Sequence, residues 1–116
     1  MQLTGILIGS ADPARLVAYY TSILGEPGFA DGGYTGWMLD SAWLTIGPHD
    51  QVKGQNGEPG RLIWNLASTD VPADFARFKA AGATVVSEPY QMGPGWIATF
   101  ADADGNYFQL MSPMEM

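Results

Sequence analysis

Apolar and polar positions run along this chain in two successive rounds of the same pattern. Leu3-Thr4-Gly5-Ile6-Leu7-Ile8 is a short, partly β-branched apolar run and predicts a buried strand. Asp12-Pro13 then supplies a side-chain cap and a proline at the first helical position. Leu16, Val17, Tyr20, Ile23 and Leu24 recur at helical spacing, and Gly25 provides the stop. A glycine-rich turn at Asp31-Gly32-Gly33 precedes two strand candidates near 34–39 and 42–47, with Asp40-Ser41 as the turn between them. From Pro48 to Gly60 the chain is rich in Gly, Pro, Gln, Asn and Asp, the longest loop signal present.

After that loop the pattern restarts. Leu62-Ile63-Trp64-Asn65-Leu66 predicts a strand, and Asp70 with Pro72 repeats the helix-start chemistry. Phe75, Phe78 and Ala81 form an apolar face that Gly82 ends, and Ala83-Thr84-Val85-Val86 predicts another strand. Tyr90-Gln91-Met92-Gly93-Pro94-Gly95 reads as a mobile flap, because Gly and Pro mark loops. Trp96 to Phe100 and Tyr107 to Met111 then predict a hairpin around Asp102-Ala103-Asp104-Gly105-Asn106.

The expectation is an α+β fold over a single domain, 1–116, with two tandem βαβββ modules at 1–47 and 61–116 joined by a loop at 48–60. One helix per half covers one sheet face and leaves the other free. The two halves are expected to form a curved mixed sheet around a cleft, with helices on the outer face and a ligand in the cleft.

Composition narrows the chemistry. A chain of 116 residues, 47% hydrophobic and 15% charged, is ordered and large enough to bury a core. With no cysteine, disulfides, thiolate catalysis and Cys-ligated zinc are excluded. Neither a basic leader nor a membrane-length apolar run is present, so a cytoplasmic protein with no membrane partner is expected. Net charge is −7, which disfavours nucleic acid, since phosphate binding needs clustered Lys and Arg. The same charge would steer a cationic ligand, although solubility alone explains it.

The segment Ala101-Asp102-Ala103-Asp104-Gly105-Asn106-Tyr107-Phe108-Gln109-Leu110 is the most specific motif. It resembles the closing hairpin of the vicinal oxygen chelate superfamily (glyoxalases, bleomycin-resistance proteins, extradiol dioxygenases), usually Asp-Pro-Asp-Gly-Asn-x-x-Glu-Leu. The strand and Asp-Pro helix from Leu3 to Leu24, ending in Leu-Gly, resemble that family's first module. Phe-Ala-Arg-Phe-Lys-Ala-Ala-Gly, from Phe75 to Gly82, resembles its second-module helix. The resemblance implies a divalent ion held by His and Glu from four sheet positions, and also homodimerisation. In this sequence those positions fall at Gly5, near Trp43 or Thr45, at Arg61 or Ile63, and at Gln109. Glutamine offers a neutral oxygen without charge, and the lone His49 lies in the loop, so no metal and no other cofactor is expected. Asp102 and Asp104 suggest a calcium site, yet a hairpin turn accounts for both.

Strand alternation turns those positions into a cleft-facing set. Leu7 joins Gly5 on the first strand, Trp43 and Thr45 share a face on the fourth, and Arg61, Ile63 and Asn65 do so on the fifth. Tyr107, Gln109 and Met111 share a face on the last strand, with Phe108 and Leu110 turned to the helices. Tyr90 and Met92 would close over a ligand from the flap. Trp96 is a further candidate, but a one-residue slip reverses a strand's faces, so Trp37 and Trp96 fit either one. Trp43 and Tyr107 fit a core or a dimer interface equally well. The set describes an apolar, aromatic pocket with few orienting polar groups, suited to a small planar organic molecule. The first functional reading is metal-free binding, such as antibiotic sequestration. A second is a metal-independent isomerase, cyclase or lyase polarising a carbonyl through Tyr107, Gln109 and Arg61. A third, a metal-dependent lyase or dioxygenase, would need a different alignment of the strands.

Overall fold

The computed structural model describes residues 1–113 and divides the chain into two compact units that meet between Gly54 and Gln55. The first holds β1 (Gly5–Ser10), α1 (Pro13–Leu24), β2 (Phe29–Asp31), β3 (Tyr34–Leu39) and β4 (Ala42–Pro48). Its sheet runs β1-β4-β3-β2, with β1 and β4 parallel and the other pairs antiparallel. The second holds β5 (Trp64–Ala67), α2 (Val71–Ala80), β6 (Thr84–Met92), β7 (Gly95–Ala101) and β8 (Tyr107–Met111). Its order, β5-β8-β7-β6, repeats the first with one parallel pair, β5 with β8. Two βαβββ modules of the α+β class result, as the repeated pattern predicts.

Each helix starts on the expected cap. The carboxylate of Asp12 accepts from the Arg15 N–H at 3.2 Å, and that of Asp70 from the Ala73 N–H at 3.1 Å. Such caps are each worth about 1 kcal/mol. Leu16, Tyr20 and Ile23 of α1 are buried, as are Trp37, Leu44 and Ile46 of the sheet behind it. Trp37 therefore belongs to the core: its ring lies 6.2 Å from that of Tyr20, and its Nε1–H donates to the Gly25 carbonyl at 2.8 Å. In the second module Phe75 and Phe78 of α2 pack on Phe100 and Phe108, while Trp64 stacks on Phe108 at 5.3 Å. Each such ring pair adds about 0.5–1.5 kcal/mol beyond its buried area.

Four expectations need correction. Strand β2 was not anticipated before the Asp31 turn; at three residues, all exposed, it is too short to show alternation. The fifth strand starts at Trp64, because Pro59–Arg61 forms a 3₁₀ turn, so Arg61 and Ile63 are not strand positions. The expected flap is not irregular. Tyr90, Gln91 and Met92 are the end of β6, paired with Ile97, Trp96 and Gly95, and Gly93-Pro94 is the hairpin turn. Gly93 takes the positive φ of 61° that this turn requires. Ala81 is exposed at the C-cap of α2 rather than part of its apolar face.

Candidate functional site

Each helix covers one face of its own sheet, and side-chain alternation leaves the other face of each module without a helix of its own. In the first module Leu44 and Ile46 point into the core, so Trp43 and Thr45 point away from it. Register places Gly5 beside Trp43 and Leu7 beside Thr45, then Gly36 and Phe29 in the same row. Phe29 meets Trp43 edge to face at 5.1 Å, and its ring lies over Gly36, where any Cβ would collide with it. Leu7 is 56% exposed. The structure thus brings Leu7, Trp43 and Thr45 onto one apolar surface and adds Phe29, which lies in the unforeseen strand.

In the second module Phe108 and Leu110 are buried, and Tyr107, Gln109 and Met111 lie half-buried on the opposite face. Pairing builds rows across that face. Asn65, Gln109, Thr99 and Ser87 form a polar row, and Ala67, Met111, Ile97 and Tyr90 form the apolar row beside it. The Gln109 side-chain amide donates to the Thr99 hydroxyl at 3.1 Å. Thr99 was missed by sequence reasoning, although its place was legible: it neighbours Phe100, whose ring belongs to the core.

A groove of about 550 Å³ opens at the end of this face, lined by Met92, Pro94, Gly95, Trp96, Ile97, Met111, Ser112 and Pro113. Trp96 pairs with Gln91 and shares the face of Ala98 and Phe100, so alternation sets it opposite Gln109, and it meets the groove where the hairpin turns. Ser112 fastens this end. Its hydroxyl accepts from the Trp96 N–H at 2.9 Å, and its own N–H donates to the Trp96 carbonyl at 3.0 Å. The Ser112 Cβ would stand 3.0 Å from a Cβ at position 95, a tight contact that glycine avoids. Arg61 lies apart, held by Glu58 at 2.6 Å in an exposed pair. Ile63 precedes β5.

The residues present do not fit a divalent ion. Among the described residues no three His, Asp or Glu side chains come together. At Gly5 even a Cβ would lie 2.5 Å from the Trp43 carbonyl oxygen, so the site has no room for an imidazole. Gln109 offers only a neutral carbonyl oxygen, and Trp43, Thr45 and Ile63 bring no charge. His49 sits after β4, where its Nδ1 accepts from the Gln51 N–H at 3.2 Å. Asp102 is buried in the turn, accepting from the N–H groups of Asp104 and Asn106 at 2.9 and 3.0 Å and from the Asn106 amide.

A family model described as a glyoxalase-like domain matches residues 5–111. The chain belongs to the glyoxalase-like domain family. Solved structures share its fold. A glyoxalase/bleomycin resistance protein from Albidiferax ferrireducens T118 superposes with a TM-score of 0.78 at 20% identity, covering 97% of this chain and 98% of that one. A glyoxalase/bleomycin resistance protein/dioxygenase family enzyme from Burkholderia phytofirmans PsJN gives 0.77 at 17% identity, covering 98% and 100%. A protein described only as a conserved domain protein gives 0.82 at 18%, again covering 98% and 100%. At these identities the likeness speaks for the fold alone. No curated protein matches the chain. Among the described residues, no helix of this glyoxalase-like chain is long and apolar enough to cross a membrane.

Proposed function

We propose that this glyoxalase-like protein binds a small, mainly apolar organic molecule on the open face of its second module, without a metal ion. The observation that carries this reading is the groove between Trp96, Met92 and Met111, two of whose lining residues, Ile97 and Met111, form the ladder pair next to Thr99 and Gln109. Thioether and indole groups supply adaptable apolar contact, and the row supplies a few placed hydrogen-bonding groups. The paired positions of β5, β7 and β8 on this face carry no carboxylate, imidazole or ammonium group. That favours binding over acid–base turnover, and sequestration of an aromatic natural product such as an antibiotic is the role it suits.

The test is thermal unfolding in EDTA across a panel of aromatic natural products, with methyl and indole NMR signals of Met111 and Trp96 followed alongside. A ligand at a hundred times its Kd adds ~2.7 kcal/mol of stability, a shift of several degrees. Stabilisation by one compound class in EDTA, with those signals moving, is the expected result. Stabilisation that appears only after a divalent ion is added overturns the reading. We also propose a homodimer, on family resemblance; a monomer mass by light scattering would contradict it.

A further inference from the structure

Gln109 has two chemically opposite ends, a donating NH2 and an accepting carbonyl, and the structure commits one of them. Its NH2 is held by the Thr99 hydroxyl at 3.1 Å, between directly opposed residues of β7 and β8. Thr99 is itself buried, with 6% of its surface exposed, so its position is set by the core of the sheet. With the amide nitrogen turned toward β7, the Gln109 carbonyl oxygen is the end left to the open face. We infer that Thr99 fixes Gln109 as a hydrogen-bond acceptor, so that the site selects a neutral, flat molecule carrying an N–H or O–H donor. This rests on the open-face binding site proposed above.

The surroundings support both parts of the selection. Among the described residues, groove and row carry no charged side chain, so an ionised ligand would be desolvated without a counter-charge from them. A carboxylate, in addition, would face the Gln109 oxygen. A neutral donor gains a partner, whereas a molecule of equal shape lacking the donor leaves that oxygen dry and unpaired. Thr99 is thus a specificity-determining residue acting through Gln109, while Gln109 is the group that meets the ligand.

Indole and benzofuran test this directly, since they differ chiefly in an N–H donor against an oxygen acceptor. Binding is read by protein-observed NMR at the Gln109 side-chain amide and the Met111 methyl. Indole is expected to bind about 5- to 10-fold more tightly than benzofuran to the wild-type protein, the value of one hydrogen bond. In Thr99→Val the amide is released to turn, and the ratio falls toward one; in Thr99→Ser, which keeps the hydroxyl, it is retained. Equal affinities in the wild type, or a ratio unchanged in Thr99→Val, overturn the role of Thr99 and leave the binding site standing. Failure of both probes to move either signal removes the binding site, and the inference with it.

Discussion

Asn56 and Asn106, fifty positions apart in the chain, are joined side chain to side chain at 3.0 Å. The bond is one of several that tie the segment after Gly54 to the turn between β7 and β8. Gln55 donates to the Ala103 carbonyl at 2.9 Å, and the Asn56 N–H donates to the Asp104 carbonyl at 2.8 Å. Half of what reads as a connecting loop is therefore structure belonging to the second module.

Replacing Asn56 by Ala removes the Asn106 contact and the acceptor of the Glu58 N–H, bonds of 3.0 and 2.9 Å. Both are solvent-exposed, so the expected loss of stability is small, about 1 kcal/mol. Hydrogen exchange should localise it: amides of residues 102–106 exchange faster while those of α2 do not change. Uniform acceleration across the second module would contradict this clamp.

Asp102 is a different case, being buried with 5% of its surface exposed. Asp102→Ala deprives the Asp104 and Asn106 N–H groups of their acceptor in a dry turn. The expected cost is roughly 2–4 kcal/mol, because orphaned buried donors forfeit their full hydration. Urea unfolding measures it. A loss no larger than that of Asn56→Ala would mean the turn is held by something other than this carboxylate.

Two tryptophans separate the core from the open face. Trp37 is 3% exposed and hydrogen-bonded, so Trp37→Ala should cost about 3–5 kcal/mol. Trp43 lies half-buried against Phe29 on the uncovered face, and Trp43→Ala should cost only about 1–2 kcal/mol. Comparable losses at both positions would show that Trp43 is a core residue after all.

The donor inventory also makes a calorimetric prediction. Titration with zinc or manganese at neutral pH should give no saturable heat at micromolar concentrations, and EDTA should leave the unfolding midpoint unchanged. A one-to-one isotherm would require ligands that the present geometry does not bring together.

The sequence displayed its helices plainly because an Asp cap with a proline in the first turn starts each and glycine follows each, and β8 because an Asp-Gly turn fixes its register. The place of Gln109 on that strand follows from the turn and from the resemblance of the closing hairpin. Other elements were hidden for physical reasons. The start of β6 was legible at Ala83–Val86, but its continuation to Met92 carries Glu88 and Pro89 and shifts register between Val85 and Ser87 and again between Ser87 and Tyr90, which erases the period of two that identifies a strand. Arg61 and Ile63 alternate correctly for a strand, but Pro59 turns the backbone before it can pair. The groove depends on Ser112 closing against Gly95, a contact between positions that no local pattern connects.

The parallel pairing of first strand with last in each half bears on how the chain reaches this fold. Gly5 meets Trp43 and Trp64 meets Phe108, closing loops of 38 and 44 residues (43 minus 5 and 108 minus 64). The entropy of closure differs between them by only about 0.1 kcal/mol, so topology alone gives neither half a head start. Side-chain chemistry breaks the tie. In the second half, Phe75 and Phe78 of the helix pair rings with Phe100 and Phe108, and Trp64, at the other end of the long closure, stacks on Phe108. These contacts favour that half as the nucleus, so the C-terminal repeat should acquire its native order first.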